Sequence, residues 1–456
     1  MHFMKNRILV LLFLIFHLFQ MKAQDFGQNW TGYFSYNTIT AVAKGETKIY
    51  AAAQNSIFSY ELATNKIETL STINGLTGSA ISTIHFSEST GILFVGYVSG
   101  VVDIVRPDRS VSTVVAIRDK PVILPSEKII NSFTEFENIL YIATGFGISL
   151  FDLARLEFDD SYFIGDNGAR LNIIQTAIYD EYIYAACPTG GLRRALATAQ
   201  NLIDFNNWET VNAGSWLGIQ TLQNGLFGVK GDQTLQQYDG NTFNTIATFE
   251  FVPALLKASG NSLAIIFQSR VLIYNDTGIL NTSVNTLAEY PDTYNTALAV
   301  DGQIYLGTQS NGLLITSETN TTSALQILPD GPLRNDPFNI EAAPGQLWMV
   351  YGDYSSTYNP YPLKRRGVSH LTEESGWYNI PFEDLLNTNS ITNITYNPAD
   401  VSQVFMSSYN AGLLEISEEI PVQLYDETNS GLSDISINPT DVRINGAAFD
   451  RNGTLW

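Results

Sequence analysis

The chain repeats one short strand pattern roughly every 45 residues. In each copy an aliphatic residue precedes an aromatic one, apolar residues continue the run, and a turn of small residues leads into a second apolar strand. In one copy Ala264 takes the aromatic position. The copies begin at Lys48, Ile92, Ile139, Tyr182, Gly225, Ser262, Gln303, Gln346 and Gln403, and a further one starts at Thr454.

This period predicts an all-β fold, a β-propeller built from four-stranded blades. The runs are short, β-branched and aromatic, and Gly, Asn, Asp and Ser interrupt them, which is typical of strands and turns rather than helices. We expect the aliphatic-aromatic segment to be the second strand of each blade, covered on both faces. Seven copies between Tyr50 and Tyr305 predict a seven-bladed first propeller, followed by the first blades of a second, incomplete one.

Three segments are expected along the chain. Residues 1–23 have the basic start, the apolar run from Ile8 to Phe19 and the small-residue end of a secretory signal peptide. Residues 24–330 are predicted to form the first propeller, and residues 331–456 the start of the second, which the sequence truncates. The boundary lies in a stretch rich in Pro, Asp and Asn, from Leu328 to Asn339. No transmembrane segment is expected in the mature chain.

The composition excludes several function classes. The formal net charge is −21, which argues against nucleic acid as a partner because phosphates require basic surfaces. The 45% hydrophobic content is enough for a packed core. Cys187 is the only cysteine, so it cannot form an internal disulfide, and its apolar surroundings predict a buried side chain.

The sequence offers little for catalysis. After the signal peptide only His85 and His370 remain, too few for a multi-histidine metal centre, and no nucleotide-binding or hydrolase motif is present. The carboxylates lie in turns, where Asp and Asn bond their own backbone. Asp166-Asn167-Gly168 resembles part of a calcium loop but lacks the downstream acidic ligand, which favours a simple turn. No catalytic residue, metal site or cofactor is predicted.

One insertion departs from the repeat and supplies the candidate site. The interval from Trp348 to Phe405 is roughly a dozen residues longer than the mean, and the excess falls between Val350 and His370. Aromatic faces stack on sugar rings, and guanidinium groups bind phosphate or carboxylate in a bidentate manner. The insertion is therefore a candidate site for an anionic glycan; the alternative is a loop that covers a sheet edge. The candidate residues are Tyr354, Tyr358, Tyr361, Lys364, Arg365 and Arg366.

Two stretches resemble a known family. Residues Trp30 to Tyr97 are similar to the amino-terminal propeller of the PorZ family of type IX secretion components, and Asn359 to Leu371 resembles the second propeller of that family. The repeats also resemble those of two-component regulator propellers, in Asn311-Gly312-Leu313 and in Asp450 to Trp456. Both families share the propeller, so the repeat alone does not separate them.

The PorZ resemblance implies a non-catalytic cell-surface component of the attachment complex of that secretion system. Such a protein binds anionic lipopolysaccharide and presents it to the sortase that joins it to secreted cargo. It is exported to the periplasm or to the outer-membrane surface. Two alternatives stay open: the periplasmic polysaccharide-sensing propeller of a hybrid two-component regulator, and a secreted propeller lyase or glycosidase.

Overall fold

The computed structural model describes residues 31–223, 225–436 and 440–456. The chain divides between Gly32 and Tyr33, and the fold described below is that of the second unit, Tyr33–Trp456. The predicted signal peptide at residues 1–23 lies outside the described residues. Within the described ranges, no helix is both long enough and apolar enough to cross a bilayer.

The described residues form nine four-stranded antiparallel sheets, each a simple meander of consecutive strands. The first seven sheets contain β1 (Ala41–Lys44), β2 (Lys48–Ala52), β3 (Ile57–Glu61), β4 (Ile67–Leu70); β5 (Ile81–Ser87), β6 (Ile92–Tyr97), β7 (Val102–Val105), β8 (Val111–Val114); β9 (Ile130–Phe136), β10 (Ile139–Thr144), β11 (Gly147–Asp152), β12 (Glu157–Tyr162); β13 (Gln175–Tyr179), β14 (Tyr182–Cys187), β15 (Gly191–Leu196), β16 (Glu209–Asn212); β17 (Trp216–Leu222), β18 (Gly225–Lys230), β19 (Thr234–Tyr238), β20 (Phe243–Thr248); β21 (Leu255–Ser259), β22 (Ser262–Ile266), β23 (Arg270–Asn275), β24 (Leu280–Asn285); β25 (Tyr294–Val300), β26 (Gln303–Thr308), β27 (Leu313–Ser317), β28 (Asn320–Ile327).

Two further sheets follow the first seven. They contain β29 (Asn339–Ala343), β30 (Gln346–Val350), β31 (Val368–Thr372), β32 (Gly376–Ile380); β33 (Ile391–Asn397), β34 (Asp400–Ser408), β35 (Gly412–Ser417), β36 (Ile420–Tyr425). Short 3-10 turns at Thr72–Asn74, Pro125–Glu127, Asp166–Gly168, Phe205–Asn207 and Phe382–Asp384 complete the assigned elements.

Each of the first nine aliphatic-aromatic segments is the second strand of its sheet, as predicted. Such a strand has neighbouring sheets against both of its faces, so a continuous apolar run replaces simple alternation. All six residues of β6 are buried, whereas β28, a fourth strand, consists mostly of exposed and partly buried residues. Between sheets, the rings of Phe94 and Phe151 meet edge to face with centroids 5.5 Å apart.

The innermost strands of the first seven sheets contact one another in a closed cycle. Each first strand touches the first strand of the next sheet, from β1 through β5, β9, β13, β17 and β21 to β25, and β25 touches β1 again. The predicted all-β propeller class is confirmed. The number of blades stays a prediction, which this cycle of contacts supports.

The segment just before β1 joins the two ends of this cycle. Ile39 donates its backbone N–H to the carbonyl of Thr308 at 2.9 Å. Ser35 donates its hydroxyl to the carbonyl of Leu333 at 2.7 Å, and its backbone N–H bonds Asn335 Oδ1 at 2.8 Å. Residues 35–39 thus contact both the seventh sheet and the connection to the eighth. The expected division at residues 330 and 331 stays a prediction.

Cys187 and the Asp166 turn behave as ordinary structural elements. Cys187 is buried at the end of β14, and burial raises the pKa of its thiol to about 12, which leaves it protonated and unreactive. The Asp166 carboxylate accepts a hydrogen bond from Arg193 at 2.7 Å. The buried Arg193 guanidinium also donates to the carbonyl of Ile164 at 2.9 Å, so Asp166 tethers a side chain.

In two copies of the repeat, a glycine begins the third strand because a side chain there would collide with the fourth strand. Gly147 and Gly412 begin β11 and β35 with φ values of 157° and 103°. A β-carbon on Gly147 would lie 2.2 Å from the carbonyl oxygen of Tyr162, and one on Gly412 would lie 2.1 Å from that of Tyr425. The fourth strand therefore occupies the space that any larger residue would need.

Replacing Gly412 with alanine is expected to lower the free energy of unfolding by about 1–3 kcal/mol, because it adds a collision to a strained φ. Urea unfolding of the purified protein measures the change. Gly302→Ala is the matched control, since Gly302 also has a positive φ, of 76°, but a β-carbon there would meet no atom within 4 Å. If both substitutions cost the same, the collision with Tyr425 contributes nothing.

Candidate functional site

The predicted insertion is the connection between β30 and β31, residues 351–367. Its first residue, Tyr351, is fully buried and its hydroxyl contacts Ser369 Oγ at 2.7 Å. Burial raises the pKa of Tyr351 to about 12, so the phenol stays neutral. The next residue, Gly352, donates its backbone N–H to the carbonyl of Ile391 at 2.9 Å. These contacts fix the start of the loop against the last two sheets.

Four aromatic rings gather where this loop leaves the sheets. We call Phe338, Tyr354, Tyr358 and Tyr409 the aromatic platform. The Tyr354 ring is the centre of the group: its centroid lies 4.6 Å from that of Tyr409, 5.1 Å from that of Phe338 and 5.4 Å from that of Tyr358. Tyr358 is 58% exposed and Phe338 39% exposed. The platform therefore presents aromatic surface to solvent, as sugar stacking requires.

The buried carboxylate of Asp441 links the residues that support the platform. Asp441 accepts hydrogen bonds from the Asn410 amide at 2.6 Å and from the Tyr361 hydroxyl at 2.9 Å. It also forms an ion pair with Arg443 at 3.0 Å. The Arg443 guanidinium lies 5.5 Å from the centroid of the Tyr409 ring, within the range of a cation–π contact. Platform geometry thus depends on residues far apart in sequence.

The predicted basic cluster is divided by the fold. Arg366 turns inward, donating to the carbonyl of Tyr351 at 2.6 Å and lying 3.6 Å from the Asp336 carboxylate. Arg365 is exposed, with its guanidinium 5.9 Å from the centroid of the Phe382 ring. The backbone of Lys364 bonds Ser390. Within the described ranges, neither Lys364 nor Arg365 forms an ion pair, so both charges are open to a ligand.

The structure therefore brings together only part of the predicted set. Tyr354 and Tyr358 share the platform, and Tyr361 reaches it through Asp441. The sequence pattern did not indicate Phe338, Tyr409 and Arg443, which lie outside the insertion. Tyr409 left no distinctive local trace, since Phe146 and Phe267 are also aromatic residues in the corresponding turns of other copies.

Arg365→Ala and Arg366→Ala are expected to differ in their effect on stability. Arg366→Ala loses a bond to a buried backbone carbonyl and should lower the free energy of unfolding by about 1–2 kcal/mol. Arg365→Ala should change it by less than about 0.5 kcal/mol, since it removes only an exposed charge. Urea unfolding of the two variants tests this, and equal losses would show that Arg366 has no structural role.

Comparison with known proteins gives one family match. Residues 49–209 match the family model described as the PorZ N-terminal β-propeller domain of the type IX secretion system. The fold matches the structure of PorZ from Porphyromonas gingivalis, described as an essential bacterial surface component of that system, with a TM-score of 0.80 and 20% sequence identity. The match covers 94% of this chain and 57% of that chain, so this chain spans little more than half the length of the PorZ structure.

A second, weaker match is the extracellular domain of a putative hybrid two-component system from B. thetaiotaomicron. It has a TM-score of 0.48 and 12% identity, and covers 92% of this chain and 62% of that one. No curated protein sequence matches the chain.

Proposed function

We propose that this chain, which carries the PorZ-type amino-terminal propeller sequence at residues 49–209, is a non-catalytic component of the type IX secretion system, exported to the cell surface. The observation that carries this proposal is the agreement of two findings: the family match in the first propeller and a PorZ-like fold over 94% of the chain. In this role the protein works within a complex, with other secretion proteins, the sortase among them, as its partners.

We further propose that the protein binds anionic lipopolysaccharide through the aromatic platform and presents it to the sortase. The exposed Tyr358 and Phe338 rings offer apolar faces to sugar rings, which carry C–H groups on one side. Arg365 and Lys364 supply unpaired cations for the acid groups of the glycan. Since the protein as a whole carries a net charge of −21, this local cationic surface is what an anionic glycan can recognise.

The proposed non-catalytic role agrees with the contacts of His85 and His370, the two histidines among the described residues. The His370 ring stacks on Trp348 with centroids 4.1 Å apart, and its nitrogens bond Glu419 at 2.7 Å and Gln346 at 2.8 Å. His85 lies 3.4 Å from Glu135 on the neighbouring sheet. Both rings thus have structural contacts, and the proposed task is recognition.

A deletion of the gene tests the proposed place in secretion. We expect the deletion strain to retain cargo in the periplasm without attached lipopolysaccharide, and the wild-type gene to restore surface cargo. A gene that encodes the Tyr354→Ala/Tyr358→Ala variant should restore little surface cargo. Normal cargo attachment in the deletion strain would overturn the proposal; if such a strain instead lost its transcriptional response to a polysaccharide, the sensor alternative would replace it.

A further inference from the structure

A cavity of about 960 Å³ lies inside the first propeller. Residues from the first strands of all seven sheets line it, which places the cavity on the propeller axis. Its volume is within the range of small-molecule sites in proteins. The cavity is separate from the aromatic platform, and its chemistry is independent of the proposed function.

Two long side chains cross the cavity between strands that are not neighbours. Gln175 of β13 donates its amide to the carbonyl of Leu256 on β21 at 2.8 Å, passing β17. Gly218 on β17 leaves room for this crossing, since a β-carbon there would lie 2.9 Å from Gln175 Oε1. Lys257 of β21 donates its ammonium to the carbonyl of Val42 on β1 at 2.7 Å, passing β25. The Gln175 amide and the Lys257 ammonium are therefore both held at the cavity by bonds to strands on the far side of a neighbour.

Lys257 is a cation for which the described residues supply no counter-ion. Its ammonium has three donors, of which the Val42 carbonyl takes one. Among the described residues, no carboxylate lies within ion-pair distance of Lys257. Burial lowers the pKa of the Lys257 ammonium to about 8, so most of the molecules still carry the charge at pH 7. An unpaired cation in this setting costs stability, and an acidic ligand in the cavity would offset that cost.

The wall of the cavity adds acceptors for hydroxyl groups. Glu135 on β9 contacts His85 Nε2 at 3.4 Å and also accepts from the Ser89 hydroxyl. Burial raises the pKa of Glu135, but hydrogen bonds from His85, Ser89 and Ser87 outweigh it and hold the pKa below its usual value. An ionised carboxylate has about four acceptor positions, so Glu135 can accept further hydroxyl groups. The amide of Gln220 also lines the cavity.

We propose that the axial cavity of the first propeller binds a small acidic saccharide. Its single carboxylate or phosphate group pairs with the Lys257 ammonium, and its hydroxyl groups bond Glu135 and Gln220. A cation alone would select any small anion. The combination of a cation with hydroxyl acceptors and the neighbouring Phe86 and Phe136 side chains selects a sugar that carries the acid group.

Calorimetric titration of the purified protein with sodium glucuronate, glucose 1-phosphate, inorganic phosphate and glucose tests the proposal. We expect one site per chain for at least one of the two acidic sugars, with glucose and inorganic phosphate at least about tenfold weaker. Comparison of glucuronate with glucose 1-phosphate shows whether the site prefers a carboxylate or a phosphate group. Glucose binding as tightly as both acids would overturn the role of Lys257, and phosphate binding as tightly as glucose 1-phosphate would overturn the saccharide.

Substitutions of Lys257 test whether the acidic sugar binds in this cavity. Lys257→Met should weaken the preferred acidic sugar at least about tenfold, and Lys257→Gln, which retains a donor for Val42, should do the same if Lys257→Met does not fold. Lys66→Met, which removes an exposed lysine, should leave the affinity unchanged. Unchanged affinity in both Lys257 variants, or no binding of either acidic sugar to the wild-type protein, would overturn the proposal.

The pH dependence of stability provides a second readout for Lys257. Since its folded pKa is lowered to about 8, the unfolded chain binds more protons than the folded one between pH about 8 and about 10.4. Lys257 therefore destabilises the protein fully at pH 7 and progressively less as the pH rises through that window. The unfolding midpoint of Lys257→Met relative to wild type should fall as the pH rises from 7 to 10. A constant difference would show that the Lys257 pKa is ordinary. Both proteins share the other titratable groups of the cavity, Lys44, His85, Glu88, Glu135 and Glu137.

Discussion

Replacing Asp103 with alanine is expected to lower the free energy of unfolding by about 3–5 kcal/mol, because it removes the shared acceptor of several hydrogen-bond donors in a buried site. Asp103 lies on β7 and is fully buried. Its carboxylate accepts from the Tyr97 hydroxyl at 2.6 Å, the Thr113 hydroxyl at 2.6 Å, and both the backbone N–H and the hydroxyl of Thr77 at 2.7 and 2.8 Å. The substitution leaves all four donors without their acceptor.

The charge of Asp103 also acts on its neighbour. Burial, and then the negative charge of Asp103, raise the pKa of Tyr97, so the phenol remains a donor throughout the physiological range. Asp103→Asn keeps an oxygen acceptor but adds an N–H donor to a site that already has four donors. We therefore expect a smaller but measurable loss of stability for this variant.

Urea unfolding followed by tryptophan fluorescence measures these losses. Asp108→Ala is the matched control, because Asp108 lies in the exposed turn after β7 and accepts from the backbone N–H and the hydroxyl of the nearby Ser110. We expect a much smaller change there than at Asp103. Equal stability of the wild-type protein and Asp103→Ala would contradict the view that this carboxylate holds the second sheet together.

The second large effect is expected at Asp441, where alanine should cost about 3–5 kcal/mol and also disrupt the aromatic platform. The buried carboxylate is bonded by Tyr361, Asn410 and Arg443, which come from three different segments. Without it, Arg443 is left with weaker partners, and the loop that carries Tyr358 loses its tie to the turn after β34. Glycan affinity should therefore fall at least about tenfold together with stability.

Asp441→Asn separates the two consequences. The amide oxygen can still accept from Tyr361 and Asn410, but the ion pair with Arg443 is lost, so we expect an intermediate loss of stability. Urea unfolding and glycan titration are measured on the same preparations. A stable Asp441→Ala protein that binds glycan as well as the wild type does would show that Asp441 has no part in shaping the platform.

The fold could be predicted from the sequence because two-sided burial leaves a local signature. A second strand with sheets on both faces needs apolar residues at every position, so the aliphatic-aromatic run is visible without knowing its partners. The copy from Ser262 to Ile266 follows the rule even though Ala264 replaces the aromatic residue. The sequence also locates the glycines of the turns. It does not show why glycine is required there, since a β-carbon on Gly412 would collide with a carbonyl of the following strand.

The candidate site could be predicted only in part. An unusual density of tyrosine pointed to Tyr354 and Tyr358, but the rings that complete the platform lie outside the insertion, and only the fold places Tyr409 beside Tyr354. Arg366 had the same sequence features as Arg365, yet it is held by Tyr351 and Asp336. Lys257 gave no signal at all, because a lysine within β21 is ordinary until the fold shows which groups surround it.

Titration of purified anionic lipopolysaccharide into the protein is the most direct measurement of glycan recognition by the platform. It should use the Lys257→Met background, so that the axial cavity does not contribute, with and without Tyr354→Ala/Tyr358→Ala, and lipopolysaccharide without acid groups as the matched ligand. Saturable binding that requires the acid groups and weakens at least about tenfold in the tyrosine variant is the expected result. Equal affinity in both proteins, or equal affinity for both glycans, would contradict recognition by this surface.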